Sequence, residues 1–207
     1  TWLPEGSVCN FTKVSNGNGS AQTYHPSGKV EWKGKYSNGL LDGVETCFFE
    51  NGKKEYELSY KNGLKIGLES WWYENESKKS EGNYKNGKEN GLWMYWDESG
   101  KKKEELKYLE GKLEGLNTWF REKGGKLQEC NYKEGKLEGL STWFHENGSK
   151  KSEETYREDI LHGLSINWDE NGQKEKEGNY KNGKEDGLWQ YWYEKGQKKS
   201  EGNFKDG

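Results

Sequence analysis

From Leu92 to Trp96 the chain reads Leu-Trp-Met-Tyr-Trp, a short run of large β-forming side chains with no helical stripe around it. Glycine precedes the run and Asp-Glu-Ser-Gly follows it, so the pattern predicts a strand that ends in a tight reversal. Glu146-Asn147-Gly148 and Glu170-Asn171-Gly172 supply the same reversal, each with a residue able to take a positive φ. A second strand, from about Lys102 to Tyr108, leads through Leu-Glu-Gly-Lys to a glycine that opens the next copy. Two short antiparallel strands are therefore expected in every 24 residues, an advance of about 10 Å per copy at the usual strand spacing.

The period does not slip. Tyr36, Tyr60, Tyr84, Tyr108, Tyr132, Tyr156 and Tyr180 lie 24 residues apart, and Phe204 takes the next place. Gly43 to Gly187 and Glu57 to Glu201 keep the same step, and so does a bulky aromatic at Phe48, Trp72, Trp96, Phe120, Phe144, Trp168 and Trp192. Registers of this kind predict an all-β fold: an elongated, single-layer antiparallel β-hairpin ribbon, solenoid-like, of about eight copies. Residues 1–35 read as a degenerate N-terminal capping repeat, with Thr12 in the tyrosine place and Pro4 and Pro26 found only there. Residues 36–207 read as one continuous array. Glu76 and Asp159 stand where other copies have a turn glycine, and they are taken as local turn variants.

Alternation along a strand puts Leu116, Thr118 and Phe120 on one face, and Leu106 and Tyr108 of the preceding strand are expected to join them. The interior is accordingly assigned to Tyr60, Tyr84, Tyr108, Tyr132, Tyr156 and Tyr180 with Trp72, Trp96, Phe120, Phe144, Trp168 and Trp192. The opposite face carries a second row, Trp71, Tyr95, Trp119, Trp143 and Tyr191, with Cys47 and Asn167 in register. Two readings of that row stand open. Lysine stems could cover the rings so that they only stiffen the sheet, or the rings could be offered to a partner. Gly82 and Gly178 lie mid-strand in the two places followed by an extra tryptophan, Trp93 and Trp189, which suggests that a ring fills the space of a missing side chain. Gly34, followed by Glu45, breaks that correlation.

Composition changes the picture in one respect. Hydrophobic residues make up 29% and charged residues 33% of the chain, which alone leans toward disorder, yet 11 Trp, 13 Tyr and 6 Phe are present to build a thin aromatic core. The formal charge of −3 is closely mixed, so no basic block argues for nucleic acid. No apolar run approaches the roughly 18 residues of a membrane span. Cys9, Cys47 and Cys130 match no zinc spacing and are expected as free thiols. The Glu57 to Glu201 row invites a paired-carboxylate reading, but Lys54, Lys78, Lys102, Lys126, Lys150, Lys174 and Lys198 recur beside it, and cross-strand charge pairing fits both rows better. His25, His145 and His162 read as isolated surface residues, and Asp97-Glu-Ser-Gly and Asp169-Glu-Asn-Gly as turns rather than calcium loops. No catalytic, metal or cofactor site is expected. The start at Thr1 and the end at Gly207 read as those of a trimmed piece.

Tyr-Lys-Asn-Gly-Lys-x-x-Gly-Leu-Trp-x-x-Tyr, at Tyr84 to Tyr95 and Tyr180 to Tyr191, followed by Glu-x-Gly-x-Lys-Lys, resembles the bacterial variant of the MORN repeat. The likeness covers residues 36–207 clearly and 12–35 faintly. It implies twisted ribbons of antiparallel hairpins, protein–protein contact, dimerisation or scaffolding, lipid binding in some members, and an antitoxin-like label for bacterial chains. It offers no catalytic motif. The function expected is a non-enzymatic interaction or scaffold module that meets a protein partner or itself, without nucleic acid and without a membrane span. The alternative is binding of a glycan or cell-wall polymer through the aromatic row. Free cysteines permit the cytoplasm, while the trimmed start and polar repeats favour a bacterial surface or periplasm.

Overall fold

A computed structural model of the chain describes residues 8–10 and 14–207. Pro4 and Thr12, on which part of the capping argument rests, lie outside the described residues. The chain falls into two units, Thr1–Lys102 and Lys103–Gly207. In the first, strands Asn18–Tyr24, Val30–Ser37, Gly43–Phe48, Lys54–Lys61, Leu64–Trp72, Lys78–Lys85 and Gly91–Trp96 each pair antiparallel with the strand before. The second opens with Lys102–Leu109 and continues in the same way through Gly115–Phe120, Lys126–Lys133, Lys136–Phe144, Lys150–Arg157, Ile160–Trp168, Lys174–Lys181, Lys184–Trp192 and Lys198–Phe204. Within each unit pairing is sequential, and the described residues contain no helix. The all-β hairpin repeat is what the periodic registers require.

Two turn types alternate. Asn62-Gly63 has both residues left-handed, at φ 49 and 77°, the geometry that matches the twist of the strands it joins. The Gly63 amide then donates to Leu41 O at 2.8 Å, which ties each such turn to the preceding repeat, and Gly183 to Leu161 O repeats the bond. At the other end of the strands, Gly100 donates to Asp97 O and Asp97 to Lys101 O, both at 2.9 Å, closing a tight turn with Gly100 at φ 82°. Glu76 and Asp159 both sit at φ 69°, so they occupy glycine conformations as substitutes. Asp159 offsets part of that strain by accepting the Leu137 amide at 2.7 Å.

The second turn carries a bulge that decides the faces. Trp119 pairs with Gln128 but Phe120 pairs with Lys126, leaving Leu127 unopposed, and the same slip recurs at Trp71/Trp72, Trp143/Phe144 and Tyr191/Trp192. One extra residue flips the phase of the whole partner strand. Leu116 therefore stands opposite Asn131, Asn117 opposite Cys130, and Thr118 opposite Glu129. The expected interior set is divided by this slip: Tyr108, Tyr132 and Leu106 share a face with Trp119, while Leu116, Thr118 and Phe120 face the other way.

On the tyrosine face, the midline of the sheet is the core. Asn117, Ser141, Ser165 and Trp189 are 0–2% exposed in the second unit, and Glu45, Glu69 and Trp93 hold the same place in the first. Between them lie Leu58, Cys130 and the strand glycines, so bulk on one strand is matched by its absence on the next. A Cβ on Gly82 would fall inside the ring of Trp93, and one on Gly178 inside that of Trp189. Gly34 is no exception. Its space is taken by the ring of Trp32 from its own strand, whose Nε1 donates to Glu45 Oε1 at 2.6 Å.

Gly178→Ala is expected to cost about 1–3 kcal/mol by overpacking, and adding Trp189→Ser should make the double variant less damaged than the sum of the singles. Urea unfolding of the four proteins checks this, and simple additivity would contradict the shared space. Glu110 and Glu134, at φ 51 and 53°, lead their two-residue turns. Replacing each with Asn should raise stability by up to about 1 kcal/mol, read as a higher urea midpoint with an unchanged slope.

Candidate interaction surfaces

The tyrosine face is a continuous hydrogen-bonded and ring-packed layer within each unit. Tyr84 meets Trp93 edge-on at 5.2 Å between ring centres, and Trp93 stacks on Tyr95 at 6.3 Å. Trp189 repeats the arrangement between Tyr180 and Tyr191. Trp71 lies 4.5 Å from Tyr56 and donates from Nε1 to Glu69 Oε1 at 2.8 Å, and Trp119 lies 6.2 Å from Tyr132. Of the candidate partner row, Trp71, Tyr95, Trp119 and Tyr191 are half-buried by these contacts, and Trp143 is exposed at 37%. Lys79 approaches Trp71 at 5.9 Å from the ring centre. The tyrosines assigned to the interior, Tyr60, Tyr84, Tyr108, Tyr132, Tyr156 and Tyr180, are half-buried on this same face.

Burial pushes the phenols of Tyr56 and Tyr60 well above the usual range, and the Glu45 carboxylate beside them adds to the shift. Tyr84 and Tyr156 are raised for the same first reason, with Glu69 and Glu154 contributing; Tyr156 donates to Glu154 Oε2 at 2.7 Å. The Cys47 thiol is pushed up to about 12 by burial and by Glu55, and burial raises Cys130, which lies 3.2 Å from Ser141 Oγ. Both cysteines are free. Neither is an activated thiolate.

The opposite face exposes what sequence placed inside. Val44, Leu68 and Leu92 in the first unit and Leu116, Leu140, Leu164 and Leu188 in the second are 42–53% exposed. Thr46 in the first unit and Thr118 and Thr142 in the second are buried beside them, and the aromatic residues Trp72 and Trp96 of the first unit and Phe120, Phe144, Trp168 and Trp192 of the second are half-buried. Lysines cap rings of this set: Lys54 and Lys78 reach Trp72, Lys126 reaches Phe144 and Lys174 reaches Trp192, each at 5.9 Å. Their charges are met within one strand rather than across strands, as in Lys54–Glu57 at 2.6 Å and Lys198–Glu201 at 2.8 Å, because the bulged start of the strand brings positions three apart to one side. These pairs are exposed and contribute little individually.

Two of the three histidines tie neighbouring repeats together, while His162 has a buried Nδ1 without a hydrogen-bond partner among the described residues. His25 and His145 share a register, and each ring Nε2 lies 2.8 Å from a carbonyl of the next repeat, Phe48 O and Trp168 O. Tyr73 and Arg121 make the equivalent bonds to Trp96 O and Phe144 O. Among the described residues, no group of three His, Cys, Asp or Glu side chains is placed to hold a metal ion.

The raised tyrosines give a definite pH response. Their folded pKa values lie above the unfolded value of about 10, so the folded chain keeps protons that the unfolded chain releases. The stability they contribute is fully present below about pH 10 and is lost as pH rises through the folded values. Thermal midpoints should fall steadily above that point, and the tyrosinate absorbance should rise together with loss of the circular-dichroism signal. Free titration near the ordinary value with the sheet intact would contradict the burial account.

The sequence profile of the MORN repeat variant matches residues 41–62, 65–86, 89–110, 137–158, 161–182 and 185–206, more than half of the chain. Residues 113–134 fall between two matches; Lys123-Gly124-Gly125 and Cys130 depart from the other copies there, although Gly115–Phe120 and Lys126–Lys133 pair like the rest. No curated protein matches the chain. Repeated hairpins, glycine-led strands and this profile lead to one conclusion: the chain belongs to the MORN repeat family, in its variant form.

Proposed function

We propose that the chain is a non-enzymatic interaction module that presents a sheet face to a protein partner or to a second copy of itself. One observation carries the reading. The midline position, buried in every repeat from Ala21 to Trp189, runs Ala, Glu, Glu, Trp, Asn, Ser, Ser, Trp, whereas the half-exposed position beside it stays aliphatic from Val44 to Leu188. Buried positions vary because a neighbour can compensate for a change in bulk. A single half-exposed leucine is ordinary, but a solvated position that stays aliphatic through seven successive copies supports a use outside the fold. An antitoxin-like role in a bacterium, the narrower form that the resemblance suggests, is one version of such contact. The glycan alternative finds less support, since four of the five rings in the aromatic row are engaged by other rings of the sheet: Trp71 and Trp119 by tyrosines, Tyr95 and Tyr191 by tryptophans.

Leu140→Ser with Leu164→Ser should leave the fold intact, by circular dichroism and melting, because both side chains are about half solvated. Affinity capture and light scattering across a concentration series are expected to show a protein, or a second copy, held by the unchanged chain and lost from the variant. Retention on insoluble glycan that Trp119→Ala with Trp143→Ala abolishes, with no protein held by either face, would overturn the proposal.

A further inference from the structure

Resting on that reading, we propose that Leu116, Leu140 and Leu164 dock an amphipathic α-helix whose apolar residues recur every seventh position and whose flank is acidic. The first argument is spacing. The three leucines hold one register in successive hairpins, so neighbours lie two strands apart, about 9.4–9.8 Å. A helix laid across the strands advances about 10.5 Å in seven residues and returns nearly to the same face. Over two intervals the mismatch is about 2 Å, within the reach of a leucine side chain, and sheet twist confines a straight partner to about this many copies. An extended partner fits worse. Three strand residues cover about 10 Å, but residues three apart point to opposite faces.

The second argument is charge. Beside the leucines lies an open cleft of about 490 Å³ lined by Lys112, Lys133, Lys136 and Arg157 together with Glu134, Glu138 and Glu158. Leu140 stands opposite Thr155, and Arg157 follows Thr155 by two, so Arg157 projects on the leucine face. Lys133 stands in the same relation to Leu116 through Asn131. Two of the seven charges neutralise each other, Lys136 with Glu158 at 3.5 Å, and Glu138 Oε2 accepts the Glu158 amide at 3.0 Å. Lys112, Lys133 and Arg157 make no ion pair among the described residues, and neither do Glu134 and Glu138, so the cleft keeps an excess of one positive charge. An acidic flank on the helix would meet these three cations while its apolar stripe covers the leucines.

An anionic membrane also offers apolar and negative groups, but the observations favour the helix. Asn131 and Thr155 stand between successive leucines, so the apolar spots are separate and periodic rather than a continuous surface for insertion.

The test uses the whole chain and a fluorescent four-heptad peptide with one leucine per heptad, glutamates beside each leucine, and an otherwise alanine-rich helical sequence. Anisotropy is expected to show saturable binding, and a peptide of the same composition with its leucines shuffled should bind at least tenfold more weakly. Leu140→Ser with Leu164→Ser should weaken binding at least tenfold, and Lys133→Glu with Arg157→Glu should weaken it and reduce its salt dependence. Equal binding of the shuffled peptide, or of the leucine variant, overturns the proposal. So does binding of phosphatidylserine vesicles that requires the leucines while the peptide does not bind. A protein partner whose capture survives Leu140→Ser with Leu164→Ser would also sink the helix while leaving the interaction reading in place.

Discussion

In either unit, each strand is joined to its sequence neighbours alone, so the sheet must find its core on one of its own faces. It does so along the midline, where side chains of successive strands are fitted to each other by volume. Trp189 is wholly buried because Gly178 leaves room beneath it, and Trp93 is buried over Gly82 for the same reason. Where no ring crosses, Asn117 and Cys130 or Ser141 and Glu154 fill the row with smaller groups. Close packing of this kind has little tolerance for an added methyl group. It also explains how a chain with 29% hydrophobic residues can be ordered: the buried volume is small, and much of it is aromatic or hydrogen-bonded.

Asn117, Glu45 and Glu69 enter that core with partners, whereas the buried Asn167 Oδ1 on the same face has none among the described residues. The Asn117 side chain, fully buried, accepts the Lys107 amide at 2.7 Å and donates to Gly115 O at 2.9 Å. Glu45 takes the Trp32 indole, and Glu69 takes the Trp71 indole with Lys65 at 3.6 Å. These bonds specify the register more than they add stability, since an unpaired carboxylate at the midline would be costly. Trp71 of the candidate partner row is drawn into the same network.

Sequence made the hairpins, the turns and the period legible because each rests on local chemistry: left-handed Asn-Gly pairs, glycine at the tight turn, β-forming aromatics between them. It did not make the pairing of faces legible. Alternation fixes which residues share a face within one strand, but the phase between two strands depends on the residue count of the turn. A single unopposed residue, Leu127 in one copy, moves Tyr132 from the side of Leu116 to the side of Trp119. Gly34 failed as a correlation for a related reason. The ring that covers it comes from Trp32 on its own strand rather than from the next strand, and only a structure distinguishes the two.

The bulge has a consequence for function. By turning the tyrosines and midline residues to one side, it leaves the leucines on a face whose remaining apolar rings are capped by lysines. Asn131, Thr155 and Asn179 separate the leucines along the row. Isolated apolar spots do not drive indiscriminate association, because a flat apolar partner would have to desolvate the polar residues between them for each leucine it covers. A partner with apolar groups at the matching interval avoids that cost and places its polar backbone flanks over the asparagines. On the proposed reading, selectivity would come from period, and the 24-residue repeat that folds the sheet is also what sets that period.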